Sequence, residues 1–106
     1  MEKKSRKENI LTMLDTEPQD VFLNYALAME FLSETDFINA EMQLQKTLRI
    51  NEEYLPCFYQ LGQLNEKLNN TNAAIQFYNN GIELAKKQRN TKALGELKEA
   101  LWLLED

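Results

Sequence analysis

The residues of this chain that could carry catalysis are few and poorly placed for it. Cys57 is the one cysteine and the 106 residues contain no histidine, so the usual general base and the commonest metal ligand are both missing. A cysteine in a Pro-Cys-Phe-Tyr setting, with no imidazole to draw its proton, reads as a packed thiol rather than a nucleophile. Gly62, Gly81 and Gly95 are dispersed through helical sequence and form no phosphate-cradling loop. The acidic neighbours Glu52-Glu53 and Glu105-Asp106 read as solvated helix ends, and no loop spaces carboxylates as an all-oxygen cation site requires. The chain is therefore expected to be no enzyme and to use no cofactor and no metal. Recognition by aromatic, thioether and polar side chains is the chemistry that remains.

Charge and composition narrow the partner. A net charge of −5 argues against nucleic acid, whose binders present a basic stripe. The local exception is residues 2–8, EKKSRKE, with four positive and two negative charges, read as a solvated first helical turn. A single cysteine excludes an intramolecular disulfide. No apolar run approaches the ~18 residues of a membrane span, and the charged N-terminus is not followed by the apolar core of a secretion signal. A soluble cytoplasmic protein is expected, with a protein or peptide as partner and neither nucleic acid nor membrane.

The elements that must position these side chains repeat. VFLNYALAMEFLSETDFINAEMQLQKTLRINEEY, residues 21–54, is echoed 34 residues later by LPCFYQLGQLNEKLNNTNAAIQFYNNGIELAKKQ, residues 55–88. Tyr25 and Tyr59, Leu27 and Leu61, and Ala40 and Ala74 are identical pairs at that offset. Ala28/Gly62, Leu44/Tyr78, Thr47/Gly81, Leu48/Ile82 and Ile50/Leu84 keep size or polarity class. A period of this length makes each unit a pair of helices that must stack on its neighbours to bury its apolar face.

Within each unit the spacing is helical. Val21, Leu23, Leu27, Ala28, Phe31 and Leu32 predict one helix, and Phe37, Ala40, Leu44, Thr47 and Leu48 the next, with Thr35 or Asp36 able to cap it. Pro56 suits a first helical turn, followed by Phe58, Leu61, Gly62 and Leu64. Asn69-Asn70-Thr71-Asn72 is a turn with capping capacity before a helix carrying Ala74, Phe77, Tyr78, Gly81, Ile82 and Leu84. Gly81 inside a helix costs about 1 kcal/mol relative to Ala, which predicts close approach of another helix. Residues 4–15 and 91–105 read as two flanking helices, the first ended by Thr16-Glu17-Pro18 and the second with Leu94, Leu97, Leu101 and Leu104 on one stripe.

These residues resemble the tetratricopeptide repeat. With Leu55 as the first position of a unit, Phe58, Leu61, Gly62, Ala74, Tyr78 and Gly81 match its pattern of large and small residues; with Val21 first, Leu27, Ala28, Phe31 and Ala40 match. Asn24, Thr47, Asn65, Glu52 and Lys86 depart from it, whereas Pro18 stands where the proline closing a preceding unit belongs. The resemblance implies an all-α fold, an α-solenoid of antiparallel helical hairpins wound as a right-handed superhelix of about six helices. It divides a single domain, 1–106, into a degenerate half-repeat at 4–18, repeats at 21–54 and 55–88, and a capping helix at 90–105. Any function particular to this chain is expected in its departures from the pattern.

The resemblance also implies a surface. The first helix of each unit lines a concave groove, here through Phe22, Tyr25, Met29 and Leu32 in one unit and Tyr59, Gln63, Glu66 and Lys67 in the other. The expected role is a protein–protein interaction module holding a partner segment there. Members that clamp a C-terminal carboxylate use Lys and Asn where this chain has Tyr25, Met29 and Gln60, so that subtype is not expected. The alternative is a self-associating homodimer using Ile38, Met42 and Trp102, apolar residues lying off the main helical stripes.

Overall fold

The computed structural model describes residues 3–105; Glu2 of the basic run and Asp106 of the terminal acidic pair lie outside them. Those residues form six helices and no strand: α1 (Arg6–Thr16), α2 (Val21–Ser33), α3 (Phe37–Ile50), α4 (Pro56–Lys67), α5 (Thr71–Gln88) and α6 (Thr91–Glu105). The fold is an all-α helical repeat. The chain divides into two compact units, Met1–Glu52 and Glu53–Asp106.

Helix starts are set by short polar side chains. Ser5 and Glu8 form a reciprocal capping box on α1, each side chain taking the other's backbone N–H at 3.1 Å. These bonds hold the Glu8 carboxyl below its ordinary range, the Ser5 backbone contributing most. Asp20 Oδ1 accepts the Leu23 N–H at 2.8 Å to open α2, and Asp36 Oδ1 the Asn39 N–H at 3.3 Å to open α3. Pro56 occupies the first turn of α4 as expected, and Asn90 Oδ1 caps α6 through the Ala93 N–H at 3.0 Å. Asn70 precedes α5 without any side-chain cap bond.

The ends of α2, α4 and α5 repeat one geometry, which those of α1 and α3 do not share. Thr35, Asn69 and Arg89 adopt left-handed φ values of 56°, 60° and 57°. Behind each, the next N–H reaches back over the last turn: Asp36 to Phe31 O at 2.9 Å, Asn70 to Asn65 O at 2.8 Å, and Asn90 to Ala85 O at 2.9 Å. This is the Schellman closure, which satisfies otherwise orphaned carbonyls and reverses the chain within three residues. Thr35 and Asn69 stand 34 residues apart, so the period holds in the backbone as well as in the side chains.

In the first unit Leu23, Leu27 and Ala28 of α2 are buried with Ala40 and Leu44 of α3, and Ile10 is the buried residue of α1. In the second, Leu55, Ala74, Tyr78, Ile82, Ala85, Leu97 and Ala100 form the core cluster, with Leu61 and Leu64 also buried. Each buried leucine contributes on the order of 2 kcal/mol. Two glycines make close crossings possible. A Cβ on Gly62 would penetrate the Tyr78 ring, coming within 2.6 Å of Cδ1 and Cζ. One on Gly81 would meet Phe58 Cβ at 2.9 Å and both Leu97 methyls at 3.1 Å, so α4 and α6 both approach α5 there, as the helical glycine implied.

The departures from the repeat pattern divide in a way the sequence did not foretell. Asn24, Thr47 and Asn65 are the buried polar residues of the described chain, at 0%, 0% and 1% exposure. Asn24 Nδ2 donates to Pro18 O at 3.0 Å and Asp20 O at 2.8 Å, while its Oδ1 accepts from Gln43 Nε2 at 2.7 Å. One side chain thus ties the α1–α2 turn to α3. Thr47 Oγ1 donates back to Gln43 O at 2.8 Å, and Asn65 Nδ2 to Leu61 O at 2.8 Å. Buried polar atoms must be paired or each costs 1–3 kcal/mol, and none is orphaned among the described residues. These three departures are internal fastenings, so they offer a partner nothing; Glu52 and Lys86 alone are exposed.

Candidate functional site

Burial of Leu23, Asn24, Leu27 and Ala28 fixes which face of α2 turns inward. Phe22, Tyr25, Met29 and Leu32 recur at i, i+3, i+7 and i+10 and share another face. Phe22 is 67% exposed, whereas Tyr25, Met29 and Leu32 are half-buried. Helix α1 engages α2 elsewhere. Lys7 Nζ lies 4.6 Å from the Phe31 ring centroid and 3.0 Å from Glu34, and Arg6 lies 3.7 Å from Glu30. Half of the basic run is thus used to hold α1 on α2.

The Pro18 turn brings the end of α1 beside the start of α2, and a cleft of about 400 Å³ opens there, lined by Met13, Thr16, Glu17, Asp20, Phe22 and Leu23. Met13 is 53% exposed. Met13 and Phe22 give the lining its exposed apolar side chains and Glu17 and Asp20 its carboxylates, one oxygen of Asp20 already capping α2. Sequence reasoning found Phe22 but missed Met13, Glu17 and Asp20, which become neighbours only once the turn is closed.

In α4 the corresponding residues converge on Tyr78 of α5. The Tyr59 and Tyr78 rings are tilted by 54° with centroids 6.4 Å apart. Gln63 Nε2 donates to Tyr78 Oη at 2.6 Å, and Tyr78 O–H donates to the Glu66 carboxylate. Burial, then the bond to Glu66, push the Tyr78 phenol well above its ordinary value and keep it a neutral donor. Lys67 is exposed at the helix end. The repeat pattern marked Tyr78 as a packing aromatic, but its hydroxyl partners lie across the hairpin, where sequence spacing gives no hint.

The two units therefore differ by a whole triad at matching offsets. Leu44, Met29 and Leu32 in the first stand where Tyr78, Gln63 and Glu66 stand in the second. Of the remaining candidates, Ile38 and Met42 are 74% and 64% exposed on α3, and Trp102 is 66% exposed on α6. Ile38 and Met42 belong to the first unit and Trp102 to the second. Cys57 is fully buried, which pushes its thiol up to about 12. Among the described residues no three His, Cys, Asp or Glu side chains gather as a metal site would need, and no helix is long and apolar enough to cross a membrane.

Two antiparallel helical hairpins of matching length, with a repeating turn and a repeating core in each, define a helical-repeat protein. The solved structures agree. The solution structure of a tetratricopeptide repeat domain protein from Salinibacter ruber is 35% identical, with a TM-score of 0.78 over 83% of this chain and 89% of that one. A crystal structure of a tetratricopeptide repeat domain protein from the same organism is also 35% identical, with a TM-score of 0.76 over 81% of this chain and 97% of that one. A protein from Bordetella parapertussis shares the fold at 19% identity, with a TM-score of 0.87 over 97% and 90% of the two chains. No protein-family model and no curated protein matches the sequence. The chain belongs to the tetratricopeptide repeat family. That membership supports a general role as a protein-interaction module, in a family that is typically non-catalytic.

Proposed function

We propose that this protein docks a segment of a partner protein on the outward stripe of α2, with Phe22, Tyr25, Met29 and Leu32 as the apolar contact and the Glu17 and Asp20 carboxylates beside it. The observation that carries this reading is Phe22, an aromatic ring that lines a cleft and is still 67% exposed. A ring left in water gains most when a partner covers it, and aromatic anchors set in pockets dominate binding energy. The segment that fits presents a bulky apolar side chain next to a lysine or arginine. On α4, Tyr59, Gln63, Glu66 and Lys67 offer a polar surface on which three of the four are already engaged with Tyr78, so that stripe contributes selectivity more than affinity. Nucleic acid is disfavoured as a partner by the net charge of −5 and by the carboxylates flanking Phe22. The reading places the protein in the cytoplasm, where a lone thiol such as Cys57 stays reduced.

The test is selection of peptides from a random display library on the intact protein, followed by NMR mapping of the bound peptide. Selected sequences are expected to pair an apolar anchor with a basic residue, to perturb amides from Met13 to Leu32, and to bind Phe22→Ala at least about tenfold more weakly. Peptides that bind Phe22→Ala as tightly as the parent, or that perturb only other helices, would overturn the reading.

A further inference from the structure

The face of α3 that leaves Ile38 and Met42 exposed is not used by the proposed docking surface. Ile38, Glu41, Met42, Gln45 and Arg49 line one shallow groove of about 380 Å³. Ile38, Met42, Gln45 and Arg49 lie at i, i+4, i+7 and i+11, a stripe straight enough to seat a second helix. The stripe is polarised. Its N-terminal half holds the two exposed apolar side chains and Glu41, and its C-terminal half holds Gln45 and Arg49. Among the described residues neither Glu41 nor Arg49 forms an ion pair.

We infer that this face is a self-complementary dimer surface, on which α3 of one copy packs antiparallel against α3 of a second copy about a two-fold axis. Charge selects the occupant and its direction. A parallel pair would set Arg49 against Arg49 and Glu41 against Glu41. The antiparallel pair sets Ile38 against the aliphatic stem of Arg49 from the second copy, and Met42 against Gln45 from the second copy. Arg49 of the second copy then falls three residues along the axis from Glu41 of the first, about 4.5 Å, within reach of its guanidinium. The two-fold axis makes each such contact twice. One helix face per copy buries less than the ~800 Å² per partner of a standard interface, so the dimer is weak and forms on crowding or when partner binding brings two copies together.

Sedimentation equilibrium of the full chain from about 10 µM to about 1 mM, a range that spans weak interfaces, tests the inference. The average mass is expected to climb toward twice the monomer value. Met42→Asp and Ile38→Ser should each weaken association about tenfold or more, with the far-ultraviolet helix signal unchanged because both positions are exposed. Glu41→Arg and Arg49→Glu should each weaken it alone. An equimolar mixture of those two variants should associate again, because every pair across the mixed dimer is then of opposite charge. A wild-type chain that stays monomeric at the highest concentration would overturn the inference. So would association that survives Met42→Asp but is lost in Trp102→Ala, or a mixture that associates no better than its components.

Discussion

Asn24 does more for this molecule than its type suggests. It sits where the repeat pattern asks for a large apolar residue, yet it is fully buried and binds Pro18 O, Asp20 O and Gln43. Asn24→Ala should cost about 2–3 kcal/mol, because it opens a space and strips a partner from Gln43. Chemical denaturation of Asn24→Ala, Gln43→Ala and the double variant measures this, and a coupling near zero would show the two side chains acting independently. The sequence could not disclose the pairing, since 19 residues separate the two and nothing local links them. Cys57 was more legible: an apolar setting and no base already implied an inert thiol. Burial raises that thiol from 9.0 to about 12, so the unfolded chain loses its proton first as pH rises. Stability should therefore be full below about pH 9 and fall progressively toward pH 12, and the raised Tyr78 phenol adds to the fall. Urea midpoints measured across that interval should decline less steeply in Cys57→Ala.

At the scale of elements, the turns carry most of the testable chemistry. Thr35 is a β-branched residue in left-handed backbone, where an L-residue other than glycine is strained. Thr35→Gly should stabilise the protein by about 0.5–1 kcal/mol, and Asn69→Gly by less, because asparagine tolerates that region better. Equal effects at both sites would show that side-chain strain is not the cause. Asn70→Asp should add the cap that α5 lacks and raise stability by about 0.5–1 kcal/mol. Gly62→Ala should lower it by about 1–3 kcal/mol, since the added methyl would occupy the space of the Tyr78 ring. Helix identity and approximate limits were readable because the helical spacing of Leu23, Leu27 and Phe31, and of Phe58, Leu61 and Leu64, is bracketed by capping and turn residues. The hydroxyl link from Tyr78 to Gln63 and Glu66 was not, because it depends on the register of α4 against α5.

Across the whole molecule, the proposed contact residues differ in how far they also support the core. The surface changes Phe22→Ala and Met42→Asp should leave the thermal midpoint almost where it was, within the roughly ±0.5 kcal/mol typical of exposed sites. Tyr59→Ala should lower it, because that half-buried ring packs on the second unit's core. Calorimetry on the three variants checks the division, and a large loss in Phe22→Ala would return that ring to the core. How open the α2 stripe stands was beyond the sequence: Phe22 and Leu32 read alike there, yet the first is exposed and the second half-buried. Trp102 adds a practical consequence. It is the one tryptophan of the chain and is 66% exposed, so its indole meets water in the native state much as in the denatured one. Tryptophan emission should therefore be nearly blind to unfolding, while any molecule that settles on α6 should shift that emission to the blue and shield the ring from soluble quenchers.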